Sequence, residues 1–157
     1  MCVKNRKLPK RIRLDKELYC QPGRIYFVTI DTNFKKCLFT NESFNKEIIH
    51  VLINEKKDRY KIYVYCLMPD HLHFLISTNS AKFSVIDYVN RFKGLTTRIA
   101  WKYTKERVLW QRRFYDHIIR KEEDVKQISE YILNNPVRKN LVEEYTDYKY
   151  CGYLDEF

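Results

Sequence analysis

His71 and His73 are separated by one residue, a spacing that on a β-strand turns both imidazoles to one face while Leu72, Phe74 and Ile76 turn to the other. Two imidazoles side by side can chelate one metal ion, and the same spacing equally describes an ordinary pair of sheet histidines. Toward the C-terminal end, Tyr131 and Asn135 stand at i and i+4, which on a helix is one face. A tyrosine hydroxyl is a candidate nucleophile, and Asn135 could supply an oxygen to a metal. Residue chemistry alone does not select Tyr131 among 13 tyrosines. Nor does it separate Asn135 the ligand from Asn135 the helix-ending residue before Pro136, whose ring disfavours helical geometry there.

The elements that carry these residues follow from periodicity. Arg24 to Asp31 is β-rich, with Ile25 to Ile30 unbroken, and turns through Asp31, Thr32 and Asn33. Phe44, Ile48, Val51 and Leu52 recur at helical spacing, predicting a helix over 42–56. Arg59 to Leu67 and His71 to Ser77 read as adjacent antiparallel strands around the Met68-Pro69-Asp70 break. A second helix is expected over 84–104, with Val85, Val89, Phe92 and Ile99 on its apolar side and Gly94 inside it. Phe114 to Ile119 is a fourth strand, and Glu122, Glu123 and Asp124 suit the start of a last helix that stops at Asn135-Pro136. The order βαββαβ followed by a helix matches an α+β, ferredoxin-like split βαβ plan. Its antiparallel sheet would carry helices on one face, with the Tyr131 helix as an addition.

At 157 residues the chain suits one domain: a basic arm over 1–22, containing Lys4, Arg6, Lys7, Lys10, Arg11 and Arg13, then a single unit over 23–157. The net charge of +10, with 13 Tyr and 9 Phe, suits a phosphate backbone and unstacked bases as well as it suits simple solubility. Arg91, Arg98, Lys102 and Lys105 form a basic stripe about a third of a turn from the apolar centre of the second helix. Such a stripe is either a solvated face or a place for backbone phosphates. Five scattered cysteines, with no Cys-x-x-Cys pair, indicate neither a disulfide framework nor a cysteine zinc site. No apolar run approaches the ~18 residues of a membrane span, and a cytoplasmic protein is expected.

Three blocks join the two candidate pairs. Met68-Pro69-Asp70-His71-Leu72-His73-Phe74-Leu75 resembles the His-hydrophobe-His strand of the REP-associated tyrosine transposases, of the single-tyrosine HUH superfamily of insertion-sequence type. Trp110 to His117 is similar to the segment around that family's last strand, and Tyr131-Ile132-Leu133-Asn134-Asn135-Pro136-Val137 to its Tyr-Ile-x-x-Asn-Pro-Val block. The resemblance spans about residues 23 to 153. The tail departs from it, with Tyr148 and Cys151-Gly152 where the family has Trp and a Ser-Ser pair.

The resemblance implies an enzyme that cuts and rejoins single-stranded or hairpin DNA, as monomer or homodimer, through a 5′-phosphotyrosine on Tyr131. His71, His73 and Asn135 would hold a divalent metal, Mg2+ or Mn2+ on hard phosphate oxygens, although two imidazoles also accept zinc or nickel. Arg91, Arg98, Lys102, Arg112 and Arg113 are the expected DNA-backbone contacts. His117 receives no role. The competing readings are a non-catalytic ferredoxin-like module that binds single-stranded nucleic acid by stacking, and a rolling-circle replication initiator, which is usually larger and carries a helicase segment.

Overall fold

The computed structural model describes residues 15–120 and 124–157. The candidate basic residues Lys4 to Arg13, and Glu122 and Glu123, lie outside them. Strands β1 (Tyr26–Asp31), β2 (Tyr60–Met68), β3 (His71–Thr78), β4 (Tyr115–Ile118) and β5 (Cys151–Tyr153) form one sheet in the order β4-β1-β3-β2-β5. Every pairing in it is antiparallel. The first four strands have the expected split βαβ arrangement, in which β3 returns between β1 and β2. The fifth strand, formed where only an aromatic tail was expected, covers the outer edge of β2.

Alternation along the strands gives the sheet two different faces. Tyr26, Val28, Ile30, Leu72, Phe74 and Ile76 belong to the larger core, which helices α1 (Glu42–Lys56) and α2 (Val85–Ala100) cover with Phe44, Ile48, Leu52, Val85, Val89 and Phe92. Asn41 and Ser84 cap these helices by accepting from Phe44 N and Ile86 N, each cap contributing about 1 kcal/mol. The apolar period of α2 was expected to run to Thr104, but the helix ends at Ala100. The opposite face carries a smaller core of Val64, Cys66, Met68 and Leu75 under Ile132 and Leu133. A register shift between Ile62 and Val64 adds one residue to β2. It sets Cys66 opposite His73 and Met68 opposite His71, so these two side chains join the smaller core.

The second face is completed by α3 (Val125–Leu133) and α4 (Asn135–Arg138). Asp124 caps α3, accepting from Lys126 N and Gln127 N. The helix stops at Leu133 rather than at Asn135-Pro136, because Asn134 leaves helical geometry at φ −80°, ψ 5°. Asn135 and Pro136 then open a new turn, where a missing N–H is harmless. At the other end of the chain, Lys16–Cys20 forms a 3₁₀ turn that buries Tyr19 in the larger core, its hydroxyl donating to Asp116 Oδ2 at 2.8 Å. Folded structure therefore starts ahead of Gly23, and the expected arm over 1–22 is not separate from the domain along its last residues. No helix among the described residues is long and apolar enough to cross a membrane.

Candidate active site

β3 delivers both histidines to the face that α3 and α4 cover, with ring centroids 4.5 Å apart. His73 lies between Thr29 of β1 and Cys66 of β2, 7% exposed, with Nδ1 2.7 Å from Thr29 Oγ1. Burial, then the neighbouring His71 and the charges of Arg138 and Lys35, push its pKa down to about 3, so the ring is neutral at physiological pH. His71 Nδ1 donates to Asp70 Oδ1 at 2.6 Å. A carboxylate only accepts, so this bond fixes the proton of a neutral His71 on Nδ1 and leaves Nε2 as a lone pair. His73 reaches the same state when Nδ1 donates to the threonine hydroxyl.

Tyr131 projects from α3 with 45% of its surface exposed. Its ring meets Phe27 edge-on at 6.4 Å between centroids and lies 6.4 Å from the His73 ring. Phe27 also contacts His73 at 5.4 Å, so one phenylalanine seats both. The Arg138 guanidinium stacks over the Tyr131 ring at 4.4 Å, and α4 thereby braces the side chain from the solvent side.

Asn135 is 5% exposed, at the start of the short helix that packs on β2 beside the histidine strand. The expectation that Tyr131 and Asn135 share one helical face is modified by the break at Asn134, which leaves the tyrosine outward and the asparagine inward. No group of three or more His, Cys, Asp or Glu side chains among the described residues could hold a metal ion. An amide oxygen such as that of Asn135 is chemically suited to complete a metal site on the His71–His73 pair. Imidazole nitrogens together with an amide oxygen are ligand types that suit a divalent cation.

The expected DNA contacts divide. Arg91, Arg98 and Lys102 are on or just beyond α2, across the sheet from the histidines. Arg91 is ion-paired with Glu55, and Lys102 lies 3.5 Å from Glu47. Arg112 and Arg113 are exposed in the segment leading into β4. That segment is tied to the end of β1 by Gln111 N donating to Asp31 O at 2.9 Å, and Asp31 is the cross-strand partner of His71. His117 sits on the site face, paired across the strands with Phe27. Thr29, Phe27, Lys35 and Arg138 were not foreseen. Arg138 lies beyond the Asn134 break, in the separate helix α4, and Thr29 meets His73 only through the β1–β3 register, so neither was visible in local spacing.

Residues 24–135 match the family described as Transposase IS200 like. An uncharacterized protein of Haemophilus influenzae is 30% identical over 159 residues, covering 82% of this chain and 88% of its own. The REP-associated tyrosine transposase of Escherichia coli K12 is 24% identical over 136 residues, covering 86% of this chain and 79% of its own. Among solved structures, a REP-associated tyrosine transposase bound to a REP hairpin superposes with a TM-score of 0.74 at 23% identity, over 92% of this chain and 82% of that one.

Proposed function

The chain belongs to the IS200-like transposase family, and from that premise we propose that this DNA transposase cleaves and rejoins single-stranded DNA through Tyr131, with His71, His73 and Asn135 holding a divalent metal. The observation that carries the proposal is the tyrosine ring 6.4 Å from the His73 ring within one chain. That closeness supports a site in which one subunit supplies both the nucleophile and the histidines.

Tyr131 Oη attacks the scissile phosphorus and loses its proton. The bond from phosphorus to the 3′ oxygen breaks, leaving a 5′-phosphotyrosine and a free 3′-hydroxyl. The reverse attack by a 3′-hydroxyl restores the phosphodiester and the tyrosine, so no external energy source is needed. Mg2+ or Mn2+ bound there supplies charge stabilisation on the phosphate oxygens and orients the ester. Asp70 and Thr29 orient the imidazoles so that each Nε2 is available, and Arg138 holds the Tyr131 ring over Phe27. Arg112 and Arg113 contact the strand entering the site, while Arg91, Arg98 and Lys102 are assigned to DNA passing behind the sheet.

The DNA is proposed to carry a hairpin, as in the solved relative, and to be met in the cytoplasm. Incubating the protein with an end-labelled hairpin bearing single-stranded flanks and Mn2+ should give a covalent protein–DNA adduct. Tyr131→Phe should abolish the adduct while retaining DNA binding. Binding with no adduct from any stem-loop substrate would instead leave a non-catalytic nucleic-acid module.

A further inference from the structure

The turn after β1 presents an aromatic ring to water on backbone that resists doing so. Phe34 is 80% exposed, the largest value among the exposed large hydrophobic residues described. Its φ of 57° and ψ of 21° are followed by a φ of 52° at Lys35. Left-handed backbone is disfavoured for a residue with a Cβ, and here two occur in succession with neither a glycine nor an asparagine among them. Burial of the ring does not offset the penalty.

The turn is nevertheless tightly held. Asn33 N donates to Leu109 O at 2.8 Å, Thr32 N to Asp70 O at 2.9 Å and Lys35 N to Thr32 O at 3.0 Å. Thr32 is fully buried, with Oγ1 2.7 Å from Lys36 O and 2.9 Å from Asp70 O. Asp70 is also the residue whose carboxylate holds His71. Lys35 lies 3.6 Å from Asp31, whose Cα is paired across the strands with His71. An exposed aromatic is thus fixed, by strain the surrounding structure imposes, at the edge of the proposed active site.

We propose that Phe34 is a stacking platform for an unpaired nucleobase beside the phosphate that Tyr131 attacks. The assignment rests on the single-stranded DNA substrate proposed above. Every base offers a π-face, so the platform fixes the position of the strand without dictating its sequence. Lys35 next to it, largely exposed although 3.6 Å from Asp31, adds positive charge for the adjoining phosphate. A base seated there would hold the flanking backbone taut and keep the scissile linkage from sliding past the tyrosine.

The test is binding, measured by fluorescence anisotropy in Mn2+ with a hairpin carrying single-stranded flanks, on Tyr131→Phe protein so that cleavage does not intervene. Phe34→Ala should weaken binding about tenfold, within the range for loss of one base–aromatic stack, while Phe34→Trp retains it. An abasic substitution walked along each flank should weaken binding at one position, and that penalty should vanish in Phe34→Ala. Unchanged melting of Phe34→Ala by circular dichroism excludes misfolding, and Phe34→Gly, which relieves the backbone, should melt higher yet bind as weakly as alanine. Equal affinity of Phe34→Ala and its parent would overturn the assignment alone. So would an abasic penalty that persists in the variant, or loss of a self-association seen by sedimentation with DNA affinity intact, which would make Phe34 a contact between copies. No binding by the parent protein would overturn the DNA substrate, and this assignment with it.

Discussion

Replacing Thr29 by valine keeps the branched shape that suits β1 and removes only the oxygen that meets His73 Nδ1 at 2.7 Å. His73 carries a single proton, because burial and its cationic neighbours hold its pKa at about 3. With the hydroxyl accepting from Nδ1, that proton is kept away from Nε2, and the lone pair needed by a metal stays available. Valine frees the tautomer and leaves a buried ring nitrogen without a partner. Losing an orienting partner of this kind weakens metal affinity by about 10–100-fold, or ~1.4–2.7 kcal/mol. The neutral bond itself is worth only ~0.5–1.5 kcal/mol, which favours the lower end, near tenfold. The orphaned ring nitrogen should also lower folding stability by ~1–3 kcal/mol. Isothermal titration of chelator-stripped protein with Mn2+ reads the first effect and urea denaturation the second. Adduct formation should fall at limiting Mn2+ and recover when the metal is raised about tenfold. Unchanged Mn2+ affinity would refute the orienting role. Tighter binding would mean that the hydroxyl donates to Nδ1 in the native protein and holds the His73 proton on Nε2.

Three other outcomes follow from the same geometry. Asn135→Ala should weaken Mn2+ binding more than about tenfold whereas Asn135→Asp, which keeps an oxygen there, should retain it; equal losses in calorimetry would remove Asn135 from the ligand set. In metal-free protein, the unfolded chain takes up a proton on His73 near pH 6.5 and the folded chain only near pH 3, so stability should fall as pH drops through that window. The slope from this group is up to ~1.4 kcal/mol per pH unit, flat above the window, and His73→Gln should remove it in urea titrations at pH 4 to 7. Arg112→Gln with Arg113→Gln should reduce the slope of log affinity against log salt for single-stranded DNA by about 1.4, at ~0.7 per phosphate contact, and an unchanged slope would place both away from the backbone.

What could be read from the chain, and what could not, divides along the reach of local periodicity. Alternation set His71 and His73 on one face and Leu72 on the other, and the 3.6-residue period marked α1 with the observed ends. The partners of the histidines split in the same way. Asp70 adjoins His71 in the chain, but Thr29 meets His73 through a cross-strand register that no window of sequence contains. Pro136 misled in a particular way: it was read as the end of a helix, yet it opens the next turn, and the stop falls earlier at Asn134. The basic stripe expected over 84–104 is cut short where α2 ends at Ala100, which leaves Lys102 and Lys105 off the helix, and the side of the sheet that Arg91 and Arg98 occupy depends on which face the helix covers, which only packing decides. A three-residue strand such as Cys151–Tyr153 has too few residues to show a period at all.

That short strand has a consequence for how molecules meet one another. β2 is nine residues long, and eight of them are buried. Without β5, its backbone from Val64 to Cys66 would offer unpaired donors and acceptors along an apolar border, a template onto which another chain could dock strand to strand. Shortening the protein before Tyr148 would leave the nucleophile and the histidines in place and open that border. The expected result is self-association of the shortened chain through that edge rather than loss of chemistry, with the last strand acting as the hem that stops the sheet from growing.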